Sequence, residues 1–187
     1  MKFVLNSVFL MVFAPTSVCF AKQDLVTQKG FDFLALHLEK STFKDLKRIF
    51  GQMQLKHGLT SIQTLTTACY ESKDGAVLQF GSSVVGGGRF ITQLTLSLAA
   101  ARGTIVNCHS SRKFSAKSKF SNQLRLGLAK SAVIRKFGPP GTESKGLLSY
   151  SFTQTWPKGI LESLILKIGL TADDKVQQIE LEKLTSH

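Results

Sequence analysis

The chain has 187 residues, with 24 basic against 12 acidic side chains and a formal net charge of +12. Beyond the N-terminus no apolar run reaches the length of a membrane span, so a soluble mature protein is expected, as one domain or two small ones. A basic excess attracts anionic partners (acidic proteins, lipid head groups or nucleic acid) but is silent on fold, and its plainer meaning is a solvated surface.

Lys2, the apolar stretch Phe3 to Phe13, Pro15 and then Cys19-Phe20-Ala21 read as an export signal over residues 1–21. Cleavage near Ala21/Lys22 would place the mature chain in the periplasm or outside the cell. Lipidation at Cys19 is the alternative, although Val18 stands where lipoprotein signals take Gly or Ala.

Lys22 to Gly30 is a polar lead-in. Leu34, Leu36 and Leu38 alternate with Ala35 and His37, which predicts a strand. Ser41 as N-cap opens a predicted helix over Thr42 to Phe50. Its inner face is Phe43, Leu46 and Phe50, its outer face Lys44, Asp45, Lys47 and Arg48, and Gly51 supplies the exit. Gln52 to Ser61 is expected to be loop. Leu65 to Tyr70 alternates as a strand, Asp74-Gly75 turns, and Ala76 to Phe80 returns as a hairpin. Gly86-Gly87-Gly88 makes a turn before a strand in which Phe90, Leu94, Leu96 and Leu98 face one way and Gln93, Thr95 and Ser97 the other.

Cys108 to Gln123 is rich in Ser and Lys and lacks periodicity, so it is expected to be a linker. Leu124 to Leu128 then predicts a strand, and Ser131 to Phe137 a short helix with Val133, Ile134 and Phe137 inward, stopped by Gly138-Pro139-Pro140-Gly141. Leu147 to Phe152 is a strand, Trp156-Pro157-Lys158-Gly159 its turn, and Ile160 to Ile168 its return. Asp173-Asp174 precedes a last strand, Val176 to Leu184.

These halves repeat. Leu34-Ala35-Leu36-His37-Leu38-Glu39-Lys40-Ser41 matches Leu124-Arg125-Leu126-Gly127-Leu128-Ala129-Lys130-Ser131 at an offset of 90, and each run leads to a helix ending in Phe-Gly. Gln93-Leu94-Thr95-Leu96 matches Gln178-Ile179-Glu180-Leu181 at an offset of 85. The expected fold class is α+β: two tandem units, each a short helix packed on a small antiparallel sheet, over residues 22–107 and 124–187, joined by a basic linker at 108–123.

The mature chain keeps two cysteines, Cys69 and Cys108, read as one disulfide closing a loop of about forty residues, for roughly 4 kcal/mol in the chain-entropy model. The competing readings are a Cys108-His109 nucleophile and a metal site from Cys69, Cys108, His109 and His57. No histidine pair has zinc spacing, no two carboxylates are placed to share a substrate, and there is no Gly-x-Ser-x-Gly elbow. Gly86-Gly87-Gly88-Arg89 lacks the phosphate-loop spacing. The reading is therefore a protein that is not an enzyme, without cofactor or metal.

From Gly75 to Thr142 there is no acidic residue, while Arg89, Arg102, Arg112, Lys113, Lys117, Lys119, Arg125, Lys130, Arg135 and Lys136 fall in that span. Phe114 and Phe120 lie among four of these cations, and basic residues interleaved with aromatics suit a contact surface. Arg112, Lys113, Phe114, Lys117, Lys119 and Phe120 are therefore the expected partner-binding residues. The alternative docks both phenylalanines on the two units.

Leu126-Gly127-Leu128-Ala129-Lys130-Ser131-Ala132-Val133-Ile134-Arg135-Lys136-Phe137-Gly138-Pro139-Pro140, followed by Leu148-Ser149-Tyr150-Ser151-Phe152, resembles the small exported SmpA/OmlA-like domain family. That family includes an accessory lipoprotein of the outer-membrane β-barrel assembly machine. Its signature is a Leu-Gly-Met-type strand end, a helix closing on Gly-x-Pro and a Tyr-containing strand. Two such units in tandem also resemble the plan of β-lactamase inhibitor proteins. The resemblance implies a binding module with no catalytic residues to carry over. Here Ala129 replaces the usual polar cap and His37 the glycine. The partner expected is an envelope protein, an acidic secreted protein or a hydrolase that this chain inhibits. The rival function is binding of an anionic surface, either lipid head groups or nucleic acid.

Overall fold

The computed structural model describes residues 28–59, 64–83, 88–101 and 108–186. The export signal with Cys19, the glycines Gly86 and Gly87, Arg102 and His187 lie outside them. The elements are α1 (Phe43–Phe50), β1 (Lys56–Leu59), β2 (Thr64–Ser72), β3 (Ala76–Ser83), β4 (Gln93–Leu98), β5 (His109–Ser111), α2 (Lys130–Phe137), β6 (Thr142–Ser144), β7 (Leu147–Thr155), β8 (Leu161–Leu170) and β9 (Val176–Ser186).

All nine described strands belong to one sheet, in the order β1-β2-β3-β4-β9-β8-β7-β6, with β5 beside β2. Every pairing is antiparallel except that of β5 with β2. This corrects the expected α+β class of two helix-on-sheet units. The joint is β4 against β9, where Leu94 faces Leu181 and Leu96 faces Ile179. Had each half kept its own sheet, both strands would expose an apolar edge with open backbone groups. Pairing them removes two edges at once.

The joint also shows how the halves are related. Thr95 lies opposite Glu180, its own counterpart at the offset of 85, so a pseudo-twofold axis passes between them. Two rows of core side chains cross the sheet through this axis. One runs Tyr70, Leu78, Leu96, Ile179, Ile168, Leu148; the other runs Ala68, Phe80, Leu94, Leu181, Leu166, Tyr150. The axis exchanges one row for the other, and all twelve side chains are buried.

Both helices lie on the face these rows define. The Phe50 ring at the end of α1 sits 4.7 Å from that of Tyr70, and Phe137 at the end of α2 sits 5.8 Å from Tyr150. Thr42 rather than Ser41 caps α1: its backbone N–H donates to Asp45 Oδ2 (2.9 Å) and Asp45 N–H donates back to Thr42 Oγ1 (3.4 Å). Ala129 at the head of α2 has no side-chain cap.

The eight-residue match is out of step with this symmetry. The N-caps Thr42 and Ala129 lie 87 positions apart, as do Phe50 and Phe137, not 90. Neither copy is a strand. Leu34 (φ 51°) and Ala35 (φ 64°) form a turn, and so does the segment around Gly127 (φ 75°). Gly127 corresponds to Glu39 rather than to His37. Each donates its N–H at 2.7 Å to a carbonyl across the sheet, Gly127 to Val176 and Glu39 to Ile91, two residues themselves 85 apart. Glu39 holds this place at φ 61°, where glycine is favoured. Three further expectations change: the loop over Gln52 to Ser61 contains β1, the linker from Cys108 begins with β5, and β6 forms where no strand is expected.

The linker is part of the core. Phe114 and Phe120 are 5% and 0% exposed and belong to the same hydrophobic cluster as both helices. Phe114 meets Phe50 edge-on at 6.1 Å, and Phe120 packs on Phe33 at 4.9 Å. Phe31 in turn stacks on Phe137 of the second half (5.8 Å, 13°). Cys69 and Cys108 form a bonded pair with Cα atoms 4.7 Å apart, which leads the linker off the edge of β2.

Phe120→Ala should cost about 3–5 kcal/mol in urea unfolding, the range for an emptied aromatic site, whereas Lys119→Ala beside it should stay within about 0.5 kcal/mol. A Phe120→Ala loss as small as that of Lys119→Ala would show that the linker is not core. Replacing both cysteines by serine should remove about 4 kcal/mol, the loop-closure value for the 39-residue separation.

Candidate interaction surface

One face of the sheet is roofed by α1, α2 and the linker, and each roof element turns its cations outward. On α1, Phe43, Leu46 and Phe50 are buried while Lys44, Lys47 and Arg48 are exposed; on α2, Val133 and Phe137 are buried while Arg135 and Lys136 are exposed. The linker follows the same division without a period. Arg112 and Lys113 precede buried Phe114, Lys117 and Lys119 precede buried Phe120, and Arg125 lies between buried Leu124 and Leu126; all five cations are exposed. An antiparallel bridge between Lys119 and Arg125 holds the tight turn that buries Phe120. Lys119 Nζ also donates to Gln123 Oε1 at 2.5 Å.

Asp74, in the β2–β3 turn, fastens the linker to the sheet. It accepts from the Ser72 hydroxyl (2.6 Å) through one oxygen and from the Ala116 N–H (2.9 Å) through the other. The Ser72 bond, helped by backbone N–H donors, outweighs the cost of burial and holds this carboxyl below its ordinary range. The other acids near the roof are also engaged: Asp45 with Thr42 and Arg48, Glu143 with Lys130. Arg112, Lys113 and Lys117 make no ion pair among the described residues.

Of the six expected contact residues, the structure brings Arg112, Lys113, Lys117 and Lys119 to the surface of the roof. Phe114 and Phe120 are corrected: they point into the core and cannot touch a partner. Sequence spacing gave no sign of this, because they stand six positions apart in a segment that is neither helix nor strand.

Neither α1 nor α2 lies on the opposite face of the sheet. Its residues include Cys69, Gln79, Gln178, Lys167, Ser149 and Ser151, although Val77, Thr95 and Ser97 at its centre are buried. There Lys167 pairs with Glu180 at 3.1 Å, and Glu182 accepts a hydrogen bond from the Gln93 amide at 3.0 Å. The exposed cations of α1, α2 and the linker thus lie on the roofed side.

A second charged cluster, not singled out in the sequence, ties the halves together at one end. Lys183 of β9 is buried on the roofed face, with its Nζ 2.5 Å from Glu162 of β8 and 3.6 Å from Glu39 of the first half. Trp156 donates its indole N–H to Glu162 (2.8 Å), and the Thr185 hydroxyl donates to Glu39 (2.7 Å). Burial alone would raise the Glu162 carboxyl, but the hydrogen bonds from Lys183 and Trp156 and the charges of Lys183 and Lys40 overcome it and leave the carboxyl lowered.

Among the described residues, no three or more His, Cys, Asp or Glu side chains come together as metal ligands. His37 Nδ1 lies 2.7 Å from Asp32 Oδ1, a local tie within the strap before α1, and His57 Nδ1 lies 3.1 Å from Thr66 Oγ1. No family model, curated protein or solved structure matches this chain.

Glu162 and Asp74 both have lowered carboxyls, so their stabilisation is fully present above the ordinary values of about 4.3 and 3.9 and is lost as pH falls through the folded ones. Thermal unfolding temperature should fall with acidification below about pH 4.3, and Glu162→Gln should flatten that fall. An unchanged acid limb in Glu162→Gln would place the titrating group elsewhere. At neutral pH, Glu162→Gln should be destabilising, since it leaves the buried Lys183 with only the more distant Glu39.

Proposed function

We propose that this protein is an exported, non-enzymatic binding module of a bacterial envelope, and that it engages an acidic protein partner through the basic roof. The observation that carries this reading is the mismatch of charge on one side of the molecule. Arg112, Lys113 and Lys117 stand exposed without carboxylates, while the acids around them are held in turns, caps and ion pairs. Such a field speeds and orients the approach of an acidic surface. Burial of Phe114 and Phe120 supports the reading in a different way. It makes the linker a rigid platform, so the lysines need little ordering when a partner docks. The resemblance to exported SmpA/OmlA-like domains points to the same class of activity. The partner would be an envelope protein or a hydrolase inhibited by masking.

Charge reversal of Lys113, Lys117 and Lys119 to Glu should abolish recovery of partners in pull-downs from the periplasm, with the fold retained by circular dichroism. Unchanged recovery would remove the roof from the interaction. The competing function, binding of lipid head groups or nucleic acid, predicts steep salt dependence and little selectivity. Anionic vesicles and an oligonucleotide, each tested at two salt concentrations, distinguish it: strong binding to either at low salt would overturn the protein-partner reading.

A further inference from the structure

The pseudo-twofold axis allows each feature of one half to be checked against the other, and the outer edges of the sheet do not match. Tyr70 of β2 and Tyr150 of β7 are counterparts, since each lies under the terminal phenylalanine of its helix. The strand before each covers the start of its outer edge: β1 pairs with Thr64–Thr67 and β6 with Leu147–Ser149. In the first half a second short strand fills the rest. β5 runs parallel to β2, with His109 beside Tyr70 and Ser111 beside Ser72, next to the Cys69–Cys108 bond. In the second half, no described strand occupies the corresponding edge of β7 from Tyr150 to Thr155.

Unpaired among the described residues, with the Phe31 ring 6.2 Å from that of Phe152, that edge has none of the usual protection in its sequence. Ser149-Tyr150-Ser151-Phe152-Thr153-Gln154-Thr155 contains no charge, proline or glycine and is rich in strand-forming residues. Edges left in this state recruit other strands, and soluble proteins normally blunt them with lysine, proline or a bulge. We propose that the outer edge of β7 between Tyr150 and Thr155 is a docking slot for a short extended acidic segment of a partner protein, which adds to the sheet parallel to β7 as β5 adds to β2.

The first half supplies the template for the occupant, and charge supplies its chemistry. There is no acid from Leu147 to Ile160, and the nearest ones are engaged, Glu143 by Lys130 and Glu162 by Lys183 and Trp156. Arg135, Lys136, Lys145 and Lys158 are exposed, and none makes an ion pair among the described residues. Lys136 lies over the Phe137 ring, which is 6.5 Å from that of Phe152 on the edge strand. Backbone hydrogen bonds would give affinity, and these cations would select acidic residues on either side of the added strand. A second copy of this +12 chain suits the slot less well, because it brings more positive charge to a positive edge.

This extends the partner-binding reading to a separate contact, and the two can fail separately. The probe is a blocked peptide of alternating Glu and Val, with alternating Lys and Val as control, added to the full chain. Hydrogen exchange at Tyr150–Thr155 should slow on addition of the acidic peptide and not of the basic one. Thr153→Asp, at an exposed position, should weaken binding about tenfold by like-charge repulsion. Reversal of Lys113, Lys117 and Lys119 should leave protection of the β7 edge unchanged. A nitroxide at the peptide N-terminus should broaden the Tyr150 amide signal more than that of Thr155. Broadening at the Thr155 end would overturn the parallel arrangement. Unchanged exchange at this edge with the acidic peptide would overturn the slot itself, and a dimer of the protein alone with protected Tyr150–Thr155 amides would assign it to a second copy.

Discussion

The rest of the molecule depends on the seam between β4 and β9. Its contacts, Leu94 on Leu181 and Leu96 on Ile179, are made by the last strand of each half. Each half alone would be a four-stranded sheet with a single eight-residue helix, too small to bury much apolar surface. Joined edge to edge, the two halves share rows of core side chains that extend six strands across. The remaining parts gather on one face of this platform: two helices, the strap that carries Phe31 and Phe33, and the linker. Because the seam strands are antiparallel and related by a pseudo-twofold axis, both helices must fall on the same face.

That one-sidedness has electrostatic consequences. Roof elements are amphipathic, so wherever an aromatic or aliphatic side chain goes in, a neighbouring polar one goes out. With no acid between Gly75 and Thr142, most of what the central part of the roof turns outward is positive or neutral. On the opposite face Lys167 pairs with Glu180. The cationic exterior of the roof thus arises from ordinary packing of an acid-poor segment.

Departures from symmetry are as informative as the symmetry. Glu39 replaces the glycine expected at a positive φ and in return reaches Lys183 and Thr185 of the other half. Asp45 completes a cap on α1, whereas α2 begins at Ala129 without one. The disulfide and β5 close the outer edge of β2, and Ser149-Tyr150 stands in β7 where Cys69-Tyr70 stands in β2. The first half carries the disulfide and the capping box, and in the second no described strand closes the outer edge of β7 beyond Ser149.

Local features could be read from the chain because they depend on near neighbours. The α1 stripe of Phe43, Leu46 and Phe50, the Asp74-Gly75 turn, the alternation in β2, β4 and β9, and the pairing of two cysteines follow from periodicity, turn chemistry and parity. The offset of 85 even contained the register of the central seam, although nothing in a linear repeat says that two copies pair with each other rather than stand apart. Two similar strings, Leu34–Ser41 and Leu124–Ser131, were misleading because alternating leucines fit a turn that tucks every second side chain inward as well as they fit a strand. The exposed lysines of the linker were legible from composition alone. Phe114 and Phe120 were not, since which side of an irregular segment is buried depends on whether a hydrophobic surface lies beneath it. Only the tertiary structure supplied that surface, together with the Glu39–Lys183–Glu162 cluster and the difference between the two outer edges, because each is a contact between residues far apart in the chain and leaves no local trace in the order of amino acids.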